Sequence, residues 1–128
     1  MNKLGIVSII FLQFKNQVKL YHWKTDLYAR HVASGDLEEK ISELIDRFIE
    51  VLQGSRNKRL ELDVSTNINI SLPDNDSIIN FLTDFNSWLT RDDGILELIN
   101  IRDDPELLNI RDEMVSLINK TLYLFSLK

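Results

Sequence analysis

Between Leu4 and Tyr28, apolar residues return at helical spacing on two faces of the chain. At about 100° per residue, Val7, Ile10, Phe11, Phe14, Val18, Tyr21 and Tyr28 share one face. This face predicts a first helix from about Leu4 to near Tyr28, with these residues in the core. Ile9, Leu12, Asn16, Leu20, Trp23 and Leu27 form a second stripe opposite, in coiled-coil-like steps of three and four. A helix that is apolar on two faces needs cover on both. The second stripe therefore predicts a partner subunit, with cover by a neighbouring loop as the alternative.

Four more stretches follow. Leu37, Ile41, Leu44, Ile45, Phe48 and Leu52 predict a second helix, starting near Ser34 or Asp36 as N-cap and stopping at Gly54. Glu39, Glu43, Asp46 and Glu50 line its opposite face. From Ser55 to Asp76 the helical period gives way to alternation: Leu60, Leu62, Val64, then Ile68, Ile70, Leu72. Some twenty extended residues reach ~60 Å, enough to run the length of a helical bundle. Such a crossover would leave the second and third helices parallel, as in ferritin-like bundles. Asp74 or Asp76 caps a third helix carrying Ile78, Phe81, Leu82, Phe85, Trp88 and Leu89. It breaks near Asp93-Gly94, and a short helical piece continues through Ile101. Asp104-Pro105 opens the last helix, with Leu107, Ile110, Met114, Ile118, Thr121, Leu122 and Phe125 facing inward. The expected fold is all-α: one domain over residues 1–128, a four-helix bundle with a long crossover between helices two and three.

Composition narrows the chemistry. The chain has 128 residues and no cysteine, which excludes thiolate nucleophiles, disulfides and iron–sulfur clusters. Net charge is −5 and the one dense basic run is Arg56, Lys58, Arg59, which argues against DNA binding by phosphate neutralisation. The N-terminal LGIVSIIFL is too short to span a bilayer and no small-residue cleavage site follows it. It reads as the start of a buried helix, and the expected location is cytoplasmic. Nucleophile-elbow glycines, a phosphate-cradling loop and Glu-x-x-His motifs are all missing.

One constellation could carry chemistry: His22, His31, Asp46 and Glu50. Two imidazoles with two carboxylates suit iron(II) or zinc. Asp46 and Glu50, four apart, can approach one ion from one helix face. The histidines lie nine residues apart. On an unbroken helix that is half a turn out of phase and ~13.5 Å along the axis. They meet only if the chain bends between them, and no glycine marks a bend. The plainer alternatives are a His22 packed beside Val18, a His31 at a helix end, and carboxylates that are simply solvated.

The order His22-Trp23, then His31, then Asp46 and Glu50 closing on Gly54 resembles the Dps-like mini-ferritins. The match covers roughly residues 14–54, and the fifteen-residue step from His31 to Asp46 agrees with that family. The resemblance implies a ferritin-like bundle that assembles into a homo-oligomer. It implies an iron site between subunits, with histidines from one and carboxylates from the other, and ferroxidase-like activity. His22, His31, Asp46 and Glu50 would be the metal ligands, with zinc as the alternative metal. Ile9, Leu12, Leu20, Trp23 and Leu27 would form the dimer seam. The chain departs from the family in its shorter spacing between the histidines, its lack of a glycine there, and its lack of a lysine-rich tail. In these respects it is more similar to short ferritin-like proteins of large DNA viruses and phages, whose setting would be a virion or an infected cell. The departures leave a competing expectation: a non-enzymatic interaction protein that keeps the fold with a degenerate site.

Overall fold

The computed structural model describes residues 1–128, and these form five helices and no strand. Helix α1 runs Lys3–Lys24, with the Asn2 side chain accepting from the Gly5 amide at its N-terminus. Its first stripe is where expected: Val7, Phe11, Phe14, Val18 and Tyr21 are buried. Tyr28 is not. It is 80% exposed, because α1 stops four residues short of it and the helical phase is lost.

The chain turns through Thr25, Asp26 and Leu27. Thr25 and Leu27 take extended backbone (φ −59°, ψ 139° and φ −98°, ψ 111°). Both are ordinary conformations for L-residues, so the bend needs no glycine. Helix α2 then runs Tyr28–Arg56, beginning six residues before the predicted Ser34. Ser34 is buried inside it and donates to the His31 carbonyl, while Asp36 pairs with Lys40 at 3.0 Å. Both polar residues are thus satisfied within a helix interior, which is why they do not mark its start. At the other end Gly54 stays helical, and Asn57, in the left-handed region (φ 49°), makes the stop.

No regular element occupies residues 57–76. This segment is tied along α1 from end to end. The Arg59 carbonyl accepts from the Asn2 side chain, and the Glu61 carbonyl sits where a Cβ on Gly5 would lie, so only glycine admits it. Further on, the amides of Asn69 and Ser71 donate to the side chains of Gln13 and Gln17 at 3.0 and 3.2 Å. Four residues of helix rise ~6 Å, close to two residues of extended chain, so the pairs stay in step. Near the C-terminal end of α1, the Asn75 side chain accepts from the Tyr21 and Thr25 hydroxyls and donates to Asp26.

Helix α3 spans Ser77–Thr90. Asp76 stands at its N-cap position without a side-chain bond, and the Asp74 carboxylate accepts from the amides of Asp76 and Ser77. The short α4 covers Ile95–Ile99 and ends at Asn100, another left-handed residue, with Ile101 buried just beyond. Helix α5 runs Pro105–Phe125 with Asp104 as N-cap, as the Asp-Pro pair predicts. Its inward residues Leu107, Ile110, Met114, Ile118, Thr121 and Phe125 are all buried. The core is one cluster of 25 residues drawn from every helix. Phe14 stacks on Phe85 at 3.8 Å, and Phe11 meets Phe48 edge-on at 5.2 Å. No helix is long and apolar enough to cross a membrane.

Candidate functional site

His22 sits on the last turn of α1 and His31 on the first turn of α2. The bend at Thr25–Leu27 folds these turns against each other and brings the rings face to face. Their centroids are 4.0 Å apart and their planes 13° from parallel. His22 Nδ1 lies 2.6 Å from the His31 carbonyl, and His31 Nδ1 lies 2.8 Å from the His22 carbonyl. A carbonyl can only accept, so both Nδ1 atoms carry the proton and donate. In a neutral ring of this tautomer, Nε2 carries the lone pair.

The floor of this pair is Gly35. A Cβ there would stand 2.7 Å from Cε1 of His22 and 3.0 Å from its Nδ1. The glycine that admits the pair is therefore inside α2, one turn after His31, not in the bend. A glycine interrupting an amphipathic helix is the sequence signal that could have found it.

This geometry answers how the two histidines relate. They are together, but as a stack and not as a chelate. An imidazole lone pair lies in the ring plane and reaches a metal at ~2.0–2.1 Å. Two nearly parallel planes 4.0 Å apart do not converge on one ion. In this arrangement the pair closes the α1–α2 corner through two reciprocal hydrogen bonds.

Asp46 and Glu50 are both exposed on the outward side of α2. Since α2 already contains His31, the fifteen residues to Asp46 form continuous helix, ~22 Å along its axis. The four residues thus fall into two half-sites on one chain. No cluster of three or more histidine, aspartate or glutamate side chains is placed to hold a metal. A metal of the kind the donor set suits is not held by these four side chains within one chain.

The second stripe of α1 lies outside the core. Ile9, Leu12 and Leu20 are half-buried yet stand apart from the core cluster and the residues packed on it, while Trp23 and Leu27 are 67% and 43% exposed. Lys19 caps the Trp23 ring at 5.7 Å and reaches Glu38 of α2 at 3.5 Å. The 57–76 segment bonds to Gln13 and Gln17, on one flank of this stripe.

The chain is thus an all-helical protein with a histidine-stapled corner and an unpartnered apolar face. A family model described as "Family of unknown function (DUF5856)" matches residues 22–125, and the chain belongs to that family. Its match begins at His22 and takes in the histidine pair, both carboxylates and all of α2 to α5. No curated protein and no solved structure matches the chain.

Proposed function

We propose that this chain is a self-associating ferritin-like protein of the mini-ferritin kind, with metal half-sites that are completed between copies. The observation that carries the proposal is the outer face of α1, an apolar stripe broken only at Asn16 that its own core does not use. The bundle comprises α1, α2, α3 with α4, and α5. The crossover starts beside Asn2 and Gly5 and arrives beside Tyr21 and Thr25, so α3 begins at the end where α2 begins. This order of ends supports the parallel arrangement of a ferritin-like bundle. Asp46 and Glu50 of one copy meet one imidazole Nε2 of His22 or His31 from another, around iron(II) or zinc. The Nδ1–H bonds to carbonyls orient the rings and fix the tautomer, as an outer hydrogen bond does for a metal-bound histidine.

Light scattering and iron titration test the two halves separately. Trp23→Glu with Leu20→Glu should cut the mass to that of a single chain while helical circular dichroism persists. Iron(II) added anaerobically and then exposed to oxygen should give a ferric absorbance rise that Asp46→Ala and Glu50→Ala abolish. Wild-type protein that is monomeric at high micromolar concentration would sink the proposal as a whole.

A second reading rests on the stacked histidines. Held by two carbonyls against Gly35, they act as a structural staple, and the protein is then a metal-free interaction protein on the same fold. Elemental analysis after purification without chelator separates the two: bound iron or zinc favours the first, its absence the second.

A further inference from the structure

The crossover between α2 and α3 has two edges, and only one is used. In an extended chain, the amide and carbonyl of alternate residues point to opposite sides. The amides of Asn69 and Ser71 face α1 and are taken by Gln13 and Gln17. Pro73, next in the same parity, is buried and has no amide to place. The amides and carbonyls of Ile68, Ile70 and Leu72 therefore point away from α1, and none has a partner within the chain. The side chains of these three residues are 37%, 45% and 52% exposed. The proline falls on the inward parity and leaves the outer edge intact.

Natural edge strands are usually blunted by charge, proline or a bulge. This one is not: residues 64–73, VSTNINISLP, carry no charged side chain. The run is also its own complement. Turned antiparallel about Ile70, it sets Ile70 against its own copy, Ile68 against Leu72, and Asn69 against Ser71. Apolar residues then face apolar ones and polar residues polar ones. The three outward residues are those that would exchange ladder hydrogen bonds in this register.

We propose that the outer edge of residues 68–72 pairs antiparallel with the same segment of a second copy, forming a two-stranded ribbon across a twofold axis at Ile70. The proposal rests on the self-association argued above and adds a specific contact to it. The segment borders the apolar stripe of α1, so one axis beside Ile70 brings both surfaces into a single interface. A two-stranded ribbon alone is marginal in water. The α1 face supplies the apolar burial, and the ribbon sets the register and the direction of approach.

Residue-resolved hydrogen exchange of the full-length chain tests this across a concentration series, alongside light scattering. In the associated state the amides of Ile68, Ile70 and Leu72 should exchange slower by about tenfold or more than in the dilute state. Asn69 and Ser71, bonded within the chain, should change far less. Ile70→Pro removes the central outward amide and should lower the associated mass. Ser71→Ala, on the inward parity, should leave it unchanged, with circular dichroism confirming that both variants fold. Association with free exchange at Ile68, Ile70 and Leu72 would overturn the ribbon and leave the α1 interface standing. A chain that stays monomeric at every concentration would overturn both.

Discussion

On the inner face of α1, Val7, Phe11, Phe14 and Val18 are sealed by side chains of α2, α3 and α4, and Phe11 alone contacts three other aromatic rings. On its outer face, Ile9, Leu12 and Leu20 are half-buried and Trp23 lies mostly in solvent. The two faces are built from similar residues at similar spacing. They differ in how completely the rest of the chain covers them. Apolarity on a helix therefore states a demand for cover, and the tertiary fold decides which demands are met internally. Scattered exposed apolar residues are ordinary; a stripe along about four helical turns is not.

The sharpest way to break this comparison is to truncate one residue on each face. Phe11→Ala should cost ~3–5 kcal/mol of unfolding free energy, as large-to-small changes in aromatic cores do. Leu12→Ala should cost less than ~1 kcal/mol in dilute protein, and more as concentration rises if its face is an interface. Urea denaturation at two protein concentrations reads both. Equal costs that do not depend on concentration would erase the distinction between the faces.

A smaller effect is expected at the flank where α1 meets α2. Gly35→Ala places a methyl group against the His22 ring and should cost ~1–3 kcal/mol by overpacking, although alanine is the better helix former. In a His22→Ala background the same change should be neutral or stabilising. The double-mutant cycle reads the coupling of ring and glycine, and additive effects would show that the ring is not seated there.

The smallest effect is at the end of the crossover. The amide of Ser77 beside Asp74, with its hydroxyl and the amide of Asp76, holds the Asp74 carboxyl below its ordinary value. A carboxyl lowered on folding binds fewer protons in the native state, so its contribution is present at neutral pH and lost as pH falls through its folded value. Asp74→Asn should lower stability slightly at pH 7, and its difference from the wild type should shrink as pH falls through the acid range. An unchanged acid profile would show that the cap is not sensed there.

How much of this was legible in the sequence follows from where each signal resides. Helix α5 could be read nearly residue by residue, because Asp104-Pro105 is a local cap and its apolar period is unbroken. The outward direction of Asp46 and Glu50 was equally plain from their phase against Ile41, Ile45 and Phe48. The bend at Thr25–Leu27 was hidden. It uses negative-φ backbone open to any residue, and the apolar period runs through it from Trp23 to Leu27 without a gap. Tyr28 and the start of α2 were misplaced for that reason. The histidines could be singled out by type and spacing, but their stacking depends on the corner, the two carbonyls and the space over Gly35. The bonding of Gln13 and Gln17 to the crossover had only a faint trace, two glutamines four apart on a helix flank.

The crossover also bears on the order of events in folding. Its ties to α1 join residues 54 to 59 positions apart along the chain: Ser71 to Gln17, Asn69 to Gln13, Glu61 and Arg59 to Asn2. The α1–α2 corner, in contrast, closes contacts only nine residues apart. Loop-closure entropy favours the near contacts first, and the strap has no surface to lie on until α1 stands against α2. It should be the last segment to settle and the first to lift in native-state fluctuations. Lifting it would bare the flank of α1 while the core stays closed, so the segment behaves as a latch with its own clock, slower to engage than the helices it fastens.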